Sequence, residues 1–580
     1  MAESHTPQLD TSTDVPAPPI AAAFLVNFDH RKGYTLTWYK SIEGVQIEGT
    51  VEFKSLPSGL HNVEEDLVYF IHKDYAGLSA FLNVPDEHAE RKARMLAIGV
   101  LVPLEHGRMG RIWRHAETLK SLARSQIQDV ADTSQLEHYW DTTRLDSAEL
   151  ISEAPNESTD SFGKIGGYRK SRSMSTATNY LHSAHHLTPH HPASNLLASV
   201  QLFGPLVFPL FRAALLRKRI LILAEAPVEF SCDLVYNISI LSSLSRSLLS
   251  LLPDSSIDLT RLRPLFTIGV SDIDLMKAAN PNPKDISETQ QGWIACTTDD
   301  VLSTKPDLYD LLVLMPSTEN NYARRKVFPR LIESTPLLTR NFPQFGQKST
   351  QRDFHRYVHL QQGLEQFPSG RASSDGGGES DESSSLDAHS SAYIENKHVV
   401  EPPSWSRVAY TSLVWWASAG DRRGGFSEME EIEMERDLSL LQNDSDEEQI
   451  REVALVAYFH RLTNLIFTVL AEAIARADGR NSDIDESEHE ESGEDTTVGE
   501  NSAERTSSLG GDEDDDTQPL LSESGNLQHV EITQDDMTNM GLDSWSASDK
   551  IFVENMISLW WGRKADVRAA SVECCGLRIL

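Results

Sequence analysis

The sequence predicts an α/β protein organised in three lobes, on three observations. Short apolar runs rich in β-branched residues alternate with helical periods between residues 196 and 320. A strand-rich stretch closed by one helical period precedes them, and two long helical periods follow, separated by segments too polar to bury a core. The 580 residues carry 52 basic and 87 acidic side chains, a net charge of −35, which repels nucleic acid and anionic lipid over most of the surface. No nucleic-acid partner is expected.

Residues 1–20 read as a disordered leader. "MAESHTPQLDTSTDVPAPPI" has no basic segment followed by an apolar one, so it is not expected to act as a signal peptide. Residues 21–128 read as the first lobe. In "AAAFLVNFDHRKGYTLTWYK" Phe24, Val26 and Phe28 alternate with small or polar residues, and Gly33 sits in a basic turn, the pattern of a β-hairpin. Strand signals continue through "GTVEFKSLPSG", "LVYFIHKDYAGLSAFLNV" and "RMLAIGVLVPL". Ile112, Ala116, Leu119 and Leu122 then recur at helical intervals. From 129 to 195 apolar density falls without a period, so this part reads as a mostly disordered linker. It ends in "LHSAHHLTPHHP", a histidine tract without cysteine that reads as a solvated loop ahead of a metal site.

Between 196 and 320 the decisive stretch is "LFGPLVFPLFRAALLRKRILILAEAPVEF", the most apolar part of the chain. As a membrane span it would carry Arg212 near its middle, at a cost of roughly 2.5–3.5 kcal/mol, so no transmembrane segment is expected. Two shorter elements explain the same residues: a helix over 206–216, a turn at Arg217 to Arg219, and a buried strand containing Ile222. A long helix follows, with Val235, Ile238, Leu241, Leu244, Leu248 and Leu251 on one face and Pro253 as its stop. "PLFTIGV", "GWIACTT" and "YDLLVLM" supply further strands, which predicts a mostly parallel sheet covered by helices. Asp272, Asp274, Asp299 and Asp300 follow strands and are expected to cap the next helices, at the edge of an α/β sheet where partners also dock.

Residues 321–365 and 400–480 read as a helical downstream lobe, interrupted by a disordered Gly/Ser/Asp insert at 366–399. The helix in "QIREVALVAYFHRLTNLIFTVLAEAIARADG" uses Val453, Val456, Leu462, Ile466, Leu470 and Ile474, with Gly479 as its stop. His460, Arg461 and Asn464 in its middle favour a buried soluble helix over a membrane one. Residues 481–527 read as a disordered acidic insert. Within it, Ser482 to Asp516 holds fifteen acidic residues against one basic. "DIDESEHEESGE" imitates a calcium loop but has Glu488 where the turn needs glycine, and "DTQPLL" imitates a sorting signal. Residues 528–580 read as a C-terminal helix and tail, with Ser546 as cap and Gly562, Arg563 and Lys564 at the end.

Chemistry-bearing motifs are scarce. "GxxxxGK[ST]", "GxSxG", "HExxH" and a dinucleotide glycine fingerprint do not occur, so no catalytic residue, cofactor or metal ligand is assigned. Of the four cysteines, Cys232 and Cys296 read as core thiols. Cys574 and Cys575 lie in the basic, aromatic tail "LWWGRKADVRAASVECCGLRIL"; they read first as residues of a tail packed onto the third lobe, with lipidation as the alternative that makes them candidate sites. The cysteine spacing fits a reducing cytosol.

The ordered strings "FGPLVFPLFRAALLRKRILILAEAPVE", "LFTIGVSDIDLM" and "GWIACTTDDVLSTKPDLYDLLVLMP" resemble the central lobe of DENN proteins. "AFLVNFDHRKGYTLTWY" and "ARMLAIGVLVPL" look like the longin-like upstream lobe (uDENN) of the LCHN-like branch, and "GLDSWSASDKIFVENMISLWWGRKA" is similar to the C-terminal region of fungal members. The resemblance implies a longin-like first lobe and a guanine-nucleotide releasing factor for a Rab-type small GTPase in vesicle trafficking, cytoplasmic or peripheral on endomembranes. The GTPase-binding residues stay unknown, because that contact does not transfer position by position. The alternative is a catalytically silent trafficking scaffold with the same fold.

Overall fold

The computed structural model describes residues 17–145, 187–317, 326–334, 346–365, 398–412, 428–441, 451–490 and 529–578, apart from short stretches inside them. The chain opens with the expected hairpin, β1 (Ala22–Asp29) and β2 (Gly33–Ser41), turned at Gly33, whose φ is +79°. Asp29 Oδ1 accepts the N–H groups of Arg31 at 2.7 Å and Lys32 at 3.0 Å and so fixes the turn.

The strand expected in "GTVEFKSLPSG" is instead one helical turn, α1 (Val51–Lys54). Gly49, at φ +74°, reverses the chain, and its N–H donates to Glu52 Oε1 at 3.1 Å. Valine and phenylalanine at alternate positions imitate a strand, yet Val51 is buried while Phe53 faces solvent. β3 (Glu65–His72), β4 (Tyr75–Pro85) and β5 (Ala93–Pro103) form an antiparallel meander, and β1 returns between β5 and β2. α2 (Ala116–Gln126) packs on β4 and β5. α3 (Ser134–Thr143) buries Leu136, Tyr139 and Trp140 inside the stretch read as linker. Its apolar residues are too few to make a period in a polar background.

In the central region α4 (Leu196–Phe203) and α5 (Val207–Leu215) meet at Gly204, where φ is +56°. Arg217 to Arg219 then leave the helix, and β6 (Ile220–Leu223) buries Ile222, as the sequence predicts. The helix expected to run on to Pro253 ends early as α6 (Glu229–Leu241), and residues Arg246–Leu251 form a separate 3-10 turn. Serine explains the break. The hydroxyls of Ser242 and Ser243 turn back onto the carbonyls of Ile238 and Ile240, and the Leu244 N–H goes to Thr260 O instead.

β7 (Arg263–Thr267), α7 (Ile273–Ala278), β8 (Trp293–Thr297), α8 (Asp300–Ser303) and β9 (Leu311–Leu314) follow. β6, β7, β8 and β9 run parallel, as expected of this lobe. β10 (Arg330–Glu333) is a strand inside 321–365, a segment expected to belong to the mainly helical downstream lobe. It buries Leu331 and Ile332 and joins the sheet antiparallel to β9. One finding lies beyond the sequence: β3 and β7 pair through Phe70 and Phe266, so the two sheets fuse into one mixed ten-stranded sheet, ordered β10-β9-β6-β8-β7-β3-β4-β5-β1-β2.

The downstream helices are α9 (Gln351–Glu365), α10 (Glu428–Ser439) and α11 (Arg451–Glu490). α11 runs through Gly479, the expected stop, and into the stretch read as an acidic insert. Once its buried turns are formed, each further residue adds a hydrogen bond, and one interior glycine costs only about 1 kcal/mol. β11 (Val530–Ile532), α12 (Gln534–Asn539), α13 (Ala547–Trp561) and β12 (Ala565–Val567) follow, β11 and β12 running parallel. Ser546 stands at the N-cap of α13, but its hydroxyl meets Ser548 and makes no cap bond, whereas Gly562 ends the helix at φ +65°. Residues Glu573–Cys574 (β13) and Leu577–Arg578 (β14) pair antiparallel in the tail.

Among the described residues two helical runs, Pro192–Leu215 and Arg451–Gly479, are long and apolar enough to cross a bilayer, yet 78% and 61% of their most apolar windows are buried in the protein. Two polar residues inside the second run have protein partners. His460 Nε2 lies 3.0 Å from Ile240 O, and Asn464 Oδ1 accepts the Ser245 hydroxyl at 3.0 Å.

Candidate functional site

The C-terminal ends of β6, β7 and β8 meet the first lobe, and side chains from both sides interlock there. Asp66, on β3, is buried. Its Oδ2 accepts the Val228 N–H at 2.7 Å, and its Oδ1 accepts those of Glu229 at 3.1 Å and Leu67 at 2.8 Å. A first-lobe carboxylate therefore caps the N-terminus of the central lobe's α6, where free N–H groups and the helix dipole favour an anion. Burial outweighs these donors and pushes the carboxyl up to about 7.

Beside it, Lys54 of α1 joins Asp272 at 2.8 Å and donates to Ile71 O at 2.8 Å. Asp272 Oδ2 also accepts the Gly269 N–H at 3.0 Å and so bonds back to the residue that opens the 3-10 turn after β7, a one-sided cap because Gly269 has no side chain to return the bond. Asp299 does otherwise. It stands at the N-cap of α8 without a side-chain cap bond there, and its Oδ1 takes the Ser58 hydroxyl of the first lobe while Oδ2 accepts the Val270 N–H at 3.2 Å. Burial and the charge of Asp299 together raise the Tyr34 phenol. Asp274 and Asp300 face solvent in the first turns of α7 and α8.

Three large apolar side chains stand open on the segments these contacts hold together: Phe53 at 55% exposure, Val270 at 50% and Val301 at 52%. Sequence reasoning named the four aspartates and missed Phe53, Lys54, Ser58 and Asp66. Phe53 and Lys54 were hidden in a false strand pattern, and a single aspartate near the start of a real strand carries no signal of its own.

The other candidates resolve separately. Cys232 and Cys296 are buried with their sulfurs 3.7 Å apart, and burial pushes the Cys232 thiol well up, away from nucleophilic chemistry. His190 and His191 do not sit in a solvated loop: His190 lies 3.1 Å from Glu117, and the His191 ring stacks edge-on to Trp113 at 4.7 Å. Among the described residues no three histidine, cysteine or acidic side chains gather as a metal set. The first part of the calcium-like loop, from Asp483, is helical in α11, and its remainder, "DTQPLL", His182, His185, His186 and Cys575 lie outside the described residues. Cys574 lies in β13.

A family profile described as DENN domain-containing protein 11 matches residues 23–325, more than half of the chain and all of this junction. The chain belongs to the DENN domain family. A second profile, a domain of unknown function, matches residues 400–580. DENN domain-containing protein 11 of the zebrafish Danio rerio is 30% identical over 55% of this chain, and the match spans 60% of that protein's length. The Xenopus laevis protein of the same name is 30% identical over 55% of the chain and 68% of its own length. The Saccharomyces cerevisiae protein ANR2 is 24% identical over 96% of the chain and 94% of its own length, so the likeness to it extends beyond residues 23–325 into the downstream helices.

Proposed function

We propose that this chain binds a Rab-type small GTPase and accelerates release of its GDP, as an exchange factor in vesicle trafficking. The observation that carries the reading is the DENN-family match across both lobes and the junction between them, where the chain offers open apolar side chains. Exchange needs no covalent chemistry. A protein that binds the nucleotide-free GTPase more tightly than its GDP form weakens GDP binding by the same factor, by reciprocity of linked equilibria. The work falls on the switch segments that hold phosphate and Mg²⁺ in the GTPase. Within the family we assign the chain to the LCHN-like branch, with a longin-like first lobe.

We place the protein in the cytoplasm and peripherally on endomembranes, with Cys574 and Cys575 as acylation sites. The deciding experiment is release of labelled GDP from a panel of purified Rab GTPases by the full chain, with pull-down of each nucleotide-free GTPase beside it. Faster release from at least one is expected. Binding without release would make the chain a scaffold, and neither binding nor release from any member would defeat the reading.

A further inference from the structure

We propose that Phe53, Val270 and Val301 form one apolar contact face, rimmed by Asp274, Asp299 and Asp300, that selects a GTPase presenting an apolar centre inside a basic rim. The proposal rests on the GTPase-binding reading and adds which side chains make the contact and what charge the partner must carry.

Three observations converge. Each of the three apolar side chains is about half exposed, on segments that other residues hold rigidly: Val51 and Glu52 beside Phe53 are buried, Leu302 beside Val301 is buried, and the Val270 N–H is bonded to Asp299. Rigid apolar groups lose little entropy when a partner covers them. The segments also come from two lobes. Lys54 bonded to Asp272, and Asp299 joined to both Ser58 and Val270, tie α1 and the loop after it to the turns after β7 and β8. The face is therefore complete only while the lobes are docked, and a partner that covers it gains affinity from the docked state alone. The charge is acidic on balance, with Lys277, exposed on α7 one turn after Asp274, opposing it. Asp272, Asp274, Asp299 and Asp300 stand on these turns, and the Lys54 ammonium is taken up by Asp272 and the Ile71 carbonyl. In a chain of net charge −35 this rim repels an acidic partner and draws a basic one.

The test measures association and dissociation rates of the full chain with whichever nucleotide-free Rab it binds, at 50 mM and 500 mM salt. A Phe53→Ser/Val270→Ser/Val301→Ser variant is expected to lose about tenfold or more in affinity, mainly through faster dissociation, with an unchanged melting temperature. An Asp274→Asn/Asp300→Asn variant is expected to associate severalfold more slowly at low salt and equally fast at high salt. Should the triple variant fail to fold, Phe53→Ser alone decides, since its side chain is the most open of the three. Wild-type affinity and dissociation in a folded apolar variant would overturn the proposal while the GTPase reading stands. A wild-type chain that binds no GTPase would overturn both.

Discussion

Asp66 accepts three N–H groups across a lobe boundary, a role that depends on which strand lies against which helix. Its carboxyl is raised from an ordinary value of 3.8 to about 7, so between these values the folded chain holds a proton that the unfolded chain has released. Stability from this residue is therefore present at low pH and is lost as pH rises from about 4 to about 7. Asp66→Asn is expected to flatten that part of the stability–pH profile, measured by chemical denaturation. Asp66→Ala, which leaves the α6 N–H groups without an acceptor, is expected to cost about 1–3 kcal/mol. An unchanged profile in Asp66→Asn would remove the residue from that role. At this scale the sequence was least legible: it pointed to Asp272 and Asp299 as helix caps, and Asp299 turned out to bond the other lobe.

Helices α5, α9 and α13 meet at one buried guanidinium. Arg212 makes paired bonds of 2.8 and 2.6 Å to Asp353 and lies 3.4 Å from Asp549. A second ionic group joins α9 to α10, with Arg352 at 2.7 Å and Arg356 at 3.1 Å from Asp437. Burial drives the Asp437 carboxyl up, and the two arginines more than reverse it. Removing one member of such a group strands the others without water, so Arg212→Ala is expected to destabilise the fold by about 3–5 kcal/mol. Thermal unfolding would check this, and a loss below about 1 kcal/mol would show that the ends of these helices pack without the ion pair. The same arginine was legible in the sequence as the residue that disfavours a membrane span. Its partners lie far along the chain, so what neutralises it was not. Short runs such as Ile220 to Leu223 were legible because a fully apolar strand must be buried on both faces. The α1 turn and the break after α6 were hidden, since each depends on local bonds that outweigh the apolar period.

Across the whole molecule, the lobes were legible as blocks of different period, but their fusion into one sheet was not, because it depends on a single residue pair. Substituting Cys574 and Cys575 by alanine is expected to move the protein from the membrane to the soluble fraction of cells, and identical fractionation would exclude acylation as the anchor. The Phe70–Phe266 seam has a further consequence for the order of assembly. During synthesis the first lobe emerges complete, able to close its five strands before the residues of β7 exist. Until they arrive, β3 is an outer strand whose backbone groups on that side await a neighbour, and such an edge invites pairing with other chains. Joining residues so distant in sequence is slow. The seam that unites the finished sheet is thus the place where a nascent copy is most open to mispairing.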